Sequence, residues 1–183
     1  SVSLGGSCNR CELSGRNLSG ATFTGASFMN ATLVGANLRG AEMVGSNFTG
    51  SDFSRANLTG VEIVGADFTS TSFANAVLTG AEAQGASFVR ANLSRANLSG
   101  GELHGVNFNG ATLIEADFSG SELFGATLAN VRAIVAATDL PVAVDLENGF
   151  ADDPAEAAKS LLRAAEAGAV GGSIEDATGR ADA

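Results

Sequence analysis

Residues 11–60 read CELSG RNLSG ATFTG ASFMN ATLVG ANLRG AEMVG SNFTG SDFSR ANLTG, ten blocks of five with no insertion between them. The frame runs on to ATLAN, ending at Asn130, so that 24 blocks follow one another. The third slot is Leu, Phe, Ile or Met in 23 of them, the exception being Ala83. Two residues earlier stands a small residue, as at Ala21, Ala26, Ala31 and Ala36. The second slot is mostly Asn, Asp, Ser, Thr or Glu, and Gly takes the fifth slot in 16 blocks.

A period of five fits neither the helix repeat of about 3.6 nor the strand repeat of 2. A chain that turns every fifth residue inward needs a corner in every block, and Gly suits such corners. Four corners close a square of about 20 residues, and stacked squares pair their backbone groups from coil to coil. The large third-slot residues then fill the axis, with the small first-slot residues beside them. Leu58 is one such axial residue, and Leu58→Ala is expected to cost about 2–5 kcal/mol. Glu62 stands in an outward slot, where Lys is expected to change stability by no more than about 0.5 kcal/mol.

This pattern, commonly A(D/N)LxG, resembles the pentapeptide-repeat family over residues 11–130, about two-thirds of the chain. The resemblance implies an all-β solenoid, a right-handed quadrilateral parallel β-helix of about six coils. With coils ~4.8 Å apart the rod is expected to be ~29 Å long. Residues 1–10 read as a lead-in to it. Within the frame, Ala83 predicts a thin spot in the axis. Arg16 takes a small-residue slot near the N-terminal edge, within reach of solvent. Phe124 takes an outward fourth slot on the final coil, as cover for the segment that follows.

After Asn130 the texture changes. Residues 133–137 read as a short helix and residues 141–146 as a buried strand. Asp153, Pro154 and Glu156 then mark a helix start as N-cap, first helical residue and capping-box partner. Ala158, Leu161, Leu162 and Ala165 form its apolar stripe, Gly168 ends it, and residues 169–174 read as a second strand. Residues 131–183 thus form a C-terminal α/β segment built on one βαβ unit. Ile134 and Val135 are expected to pack near Leu128 and Phe124 and shield the end of the rod. An uncovered end would instead be a homodimer interface.

The words PVAVDLENGF and GAVGGSIED look like the isocitrate lyase and phosphoenolpyruvate mutase superfamily over residues 132–183. That resemblance implies a fragment of a (β/α)8 barrel, with Asp145, Glu147 and Glu175 matching the carboxylates that hold Mg²⁺. Such a metal stabilises an enolate while a C–C or P–C bond is cleaved. About 50 residues cannot close a barrel of about 250. The carboxylates are therefore expected to bind Mg²⁺ at millimolar strength at best, without turnover, and the fragment, natural fusion or engineered, to cap or decorate the solenoid.

Net charge is −10, divided between −4 over residues 1–130 and −6 over 131–183. Neither part carries a basic stripe, so direct nucleic-acid binding is not expected. No apolar run reaches the ~18 residues of a membrane helix. Residues 1–7 have neither a charged nor an apolar leader region, which implies that any targeting segment is already removed. Compartment stays open, with the cytoplasm as default. Cys8 and Cys11 form one CxxC, which could be a redox or metal pair. Both fall on inward slots, so small buried cysteines are the expectation. His104, the only histidine, sits in an outward slot. No catalytic site and no cofactor are expected of the rod. Its function is that of a structural or interaction scaffold for an unidentified protein. A second possibility, implied by the family resemblance, is a DNA mimic that binds a type II topoisomerase, which a continuous negative stripe along one face would favour. A third is a Mg²⁺-dependent lyase-like activity needing barrel parts from another chain.

Overall fold

The computed structural model describes residues 1–128, which form a four-sided parallel β-helix. Each face contributes one bridging residue per coil, and bridges join residues twenty apart: Glu42 to Glu62, Asn47 to Asp67, Asp52 to Ser72 and Asn57 to Val77. The register holds along the rod to the last bridge, Asn107 to Thr127.

The block of Ala56–Gly60 shows why five residues suffice for a side and a corner. The second-slot N–H of Asn57 donates to Ala36 O of the preceding coil at 2.9 Å, and the third-slot N–H of Leu58 to Val77 O of the next at 2.6 Å. The fifth-slot N–H of Gly60 also reaches the next coil, at Thr79 O, 2.9 Å. The following first-slot N–H, Val61, closes the corner on Leu58 O at 3.1 Å. Only the fourth-slot N–H of Thr59 lacks a backbone acceptor, and the Asn57 side chain supplies one at 3.1 Å. Every donor of the block is therefore used, which makes the second-slot Asn or Asp part of the fold.

A turn closed by that i to i+3 bond with positive φ at its third residue is type II, which favours Gly there. Gly60 has φ +65°, but Arg10, Asn30, Arg55, Ser70, Asn75, Arg90, Arg95 and Glu115 hold the same left-handed geometry at φ between 55° and 62°. The corner is imposed by the coil-to-coil hydrogen bonds, not by Gly alone.

Axial residues are buried from Leu18 to Leu128. Phe48, Phe68, Phe88 and Phe108 stack as one column, with ring centroids 5.8, 5.3 and 5.5 Å apart. Ala83 is fully buried in its own column. Four buried hydroxyls in first slots are all satisfied; Thr71, for instance, donates to Phe48 O at 2.8 Å.

Three expectations change at the N-terminal end. Winding starts before Cys11: Ser3 bridges Thr22 and Ser7 bridges Ser27. The first of these is one residue out of the twenty-residue register, so the corner holding Gly5 and Gly6 is one residue shorter than the rest. Leu13 is half-buried, because only one neighbouring coil covers it. Arg16 reaches solvent at the same edge, as its position predicted. Cys8 and Cys11 are not free buried thiols: they are half-buried and joined in a disulfide. The physical reason is that a third slot and the next first slot face inward across one corner, here with Cα atoms 5.5 Å apart, within disulfide range.

Phe124 is 67% exposed, as an outward slot requires. The sixth coil's closing residues and the βαβ unit expected after it, with Ile134 and Val135, lie outside the described residues.

Candidate interaction face

One side of the rod differs from the other three in the chemistry of its second slot. Its bridging residues run Thr22, Glu42, Glu62, Glu82, Glu102 and Glu122, and the five glutamates are stacked directly over one another and exposed. Half of the ten acidic residues in 1–128 thus stand in one line. At the coil repeat of ~4.8 Å, the line spans ~19 Å.

On the other sides an Asn or Asp in the second slot serves the turn. Asp52 accepts from Ser54 N at 2.8 Å, Asp67 from Thr69 N at 2.9 Å, Asn97 from Ser99 N at 2.9 Å and Asp117 from Ser119 N at 2.8 Å. Glu12 does the same for Ser14, and these hydrogen bonds hold its carboxyl below the usual value. Glu42, Glu62, Glu82, Glu102 and Glu122 make no such bond. Their carboxylates are left in solvent. Like charges directly opposite across a ladder are destabilising, so this face costs stability without closing a corner.

The corners on either side of the line are Gly throughout, Gly40, Gly60, Gly80, Gly100 and Gly120 before it and Gly45, Gly65, Gly85, Gly105 and Gly125 after it. The charged and bulky fifth-slot residues are confined to the other two corners, which hold Arg10, Arg55, Arg90, Arg95 and Glu115. Arg95 and Glu115 pair there one coil apart, which raises the guanidinium pKa. Few groups partner the line. Gln84 Nε2 donates to Glu102 at 2.5 Å, and His104 Nε2 lies 2.8 Å from Glu122 Oε2.

Of the sequence-derived candidates, Asp145, Glu147 and Glu175 lie outside the described residues. His104 joins the glutamate face, with its Nε2 beside the Glu122 carboxylate. The glutamate line was missed because it is invisible in steps of five. In steps of twenty it reads AEMVG, VEIVG, AEAQG, GELHG and SELFG, a Glu in every fourth block from 41 to 125. Among the described residues no three metal-capable side chains form a cation site.

Two families match the chain. The family of pentapeptide repeats matches in eight copies between residues 7 and 132. The phosphoenolpyruvate phosphomutase family matches residues 120–183, overlapping the end of the repeats. No curated protein sequence matches. Among solved structures the chain is similar to a pentapeptide repeat protein of the Arabidopsis thaliana thylakoid lumen, at 30% identity over 65% of this chain and 69% of that one, TM-score 0.43. It is similar to HetL of the cyanobacterium Nostoc, a protein involved in regulating heterocyst differentiation, at 21% identity over 70% and 84% of the two chains, TM-score 0.31. It is also similar to a trypsin-treated form of QnrB1, a plasmid-mediated fluoroquinolone resistance protein, at 27% identity over 94% and 100%, TM-score 0.43. With a repeat match covering residues 7–132 and a twenty-residue bridge register, the chain belongs to the pentapeptide-repeat family, whose fold is the right-handed quadrilateral β-helix.

Proposed function

We propose that the rod is a non-catalytic protein-interaction scaffold and that the glutamate face is its contact surface for a basic partner protein. The observation that carries this reading is the line from Glu42 to Glu122, five carboxylates that leave the corners unserved and repel one another. Charge retained against stability is explained by a partner whose cations complement it.

The test compares two variants of equal charge. One carries Glu62→Gln, Glu82→Gln and Glu102→Gln; the other carries Asp52→Asn, Asp67→Asn and Asp117→Asn, which keep their turn hydrogen bonds. Binding of a small basic test protein is measured by titration at low salt. The face variant is expected to lose affinity at least about tenfold, and the control to keep most of it. Equal losses would mean that only net charge matters, and the face assignment would fall.

A second reading, the DNA mimic that binds a type II topoisomerase, is favoured by the same continuous negative line. Purified topoisomerase then replaces the test protein, with supercoiling activity as the readout. Inhibition that disappears in the face variant supports mimicry; binding of the basic test protein alone leaves the general scaffold. Neither reading involves direct nucleic-acid contact. The match over residues 120–183 corresponds to about a quarter of a barrel, so a lyase-like activity of that part would need the remaining barrel parts. Isothermal titration with Mg²⁺ checks Asp145, Glu147 and Glu175; micromolar binding lost in Asp145→Ala would reopen the lyase reading. Association of two copies through an uncovered end of the rod, and a cytoplasmic location, complete the proposal.

A further inference from the structure

The corner at Asn9 and Arg10 carries a disulfide that the fold does not need. Cys11 N donates to Cys8 O at 3.2 Å, the same bond that Arg16 N makes to Leu13 O at 3.2 Å and Ala21 N to Leu18 O at 3.0 Å with no cross-link present. The corner is also pinned to the coil above it by groups other than sulfur. Cys8 N donates to Ser27 O and Arg10 N to Met29 O, each at 2.8 Å. Asn9 Oδ1 accepts from Met29 N at 2.9 Å and from Ser27 Oγ at 3.0 Å. Opening the disulfide therefore leaves the turn standing, with the two thiols held across the same corner. Such preorganisation favours closing the bond again, because little chain entropy is lost.

Access agrees with this. Both cysteines are half-buried at the end of the described rod, while first- and third-slot residues deeper in it are sealed. Arg10, between them in the sequence, is exposed to solvent. The neighbouring carboxylate, Glu12, is turned to the N–H of Ser14 at 2.9 Å.

We propose that Cys8–Cys11 is a reversible thiol–disulfide exchange site, reduced by a dithiol and reoxidised without unfolding of the rod. A thiolate of the dithiol attacks one sulfur, and the other cysteine leaves as a thiolate. The second thiol of the dithiol then attacks its own sulfur in the mixed disulfide and releases the remaining cysteine. The rod gains two electrons and two protons, and the dithiol becomes a disulfide.

The experiment uses the full chain purified in air, with dithiothreitol as the dithiol and a maleimide mass tag to count thiols. No tag is expected before reduction. Two tags are expected within minutes of adding millimolar dithiothreitol at neutral pH, with amide protection of residues 21–128 unchanged. Glutathione disulfide is expected to restore the untagged form. Two tags before reduction would overturn the proposal, as would tagging only in denaturant, which marks a structural staple. Loss of protection across 21–128 on reduction would overturn it equally.

Discussion

Glu62 stands between Glu42 and Glu82 in the glutamate line, so reversing its charge acts on two neighbours at once. At a separation of ~4.8 Å in a medium of dielectric ~80, each like-charge pair repels by ~0.9 kcal/mol before screening. A Debye length of ~10 Å at ~0.1 M salt reduces this to ~0.5 kcal/mol, and splaying of the side chains reduces it further. Glu62→Gln removes two such terms and is expected to stabilise the rod by about 0.5–1 kcal/mol. Glu62→Lys also adds two attractions, so its gain is about 1–2 kcal/mol. An isolated outward slot would have limited the change to about 0.5 kcal/mol with no preferred sign. Urea unfolding is the suitable assay, because guanidinium would itself screen the line. At ~1 M salt, with a Debye length of ~3 Å, both gains should fall to about a third of their size at ~0.1 M. Three results would refute the reasoning: destabilisation by Lys, equal effects of Gln and Lys, or gains that do not respond to salt.

Two further predictions address the fold. Leu58→Ala opens a cavity on a sealed axis and should cost about 2–5 kcal/mol in the same urea experiment; a cost below about 1 kcal/mol would contradict the axial packing. Gly60→Ala tests the corner: a Cβ there meets nothing within 4 Å, yet φ is +65°, so the expected loss of about 1 kcal/mol is conformational and not steric. Arg55→Gly, at φ +59°, should correspondingly raise the unfolding midpoint, and a fall would mean that Arg55 makes a contact worth more than its backbone strain.

Much of this fold is legible in five-residue steps. The axial set from Leu18 to Leu128, the small first slots and the corner after each third slot follow from size and period alone. Where the reading failed, the cause was an end or a longer period. Leu13 and the cysteines were expected to be sealed because each slot was treated as if coils lay on both sides of it. The second slot was read as generically polar, although Asn57 and Asp52 close turns and Glu62 does not. Residue type alone does not settle that distinction, because Glu12 also closes its turn.

By itself the sequence determined the periodic part: which residues face the axis, where each corner falls, and where the repeat stops at Asn130. Those properties are local, since five consecutive residues contain both the side and the corner that imposes them. The tertiary structure decided what meets what across twenty residues. Stacking turns Glu42, Glu62, Glu82, Glu102 and Glu122 into one charged line and collects the arginine corners on other edges. It also brings Cys8 and Cys11 across a corner that the next coil holds in place. These are relations between residues far apart in sequence or set by the coil above, and only the register of the closed coil makes them neighbours.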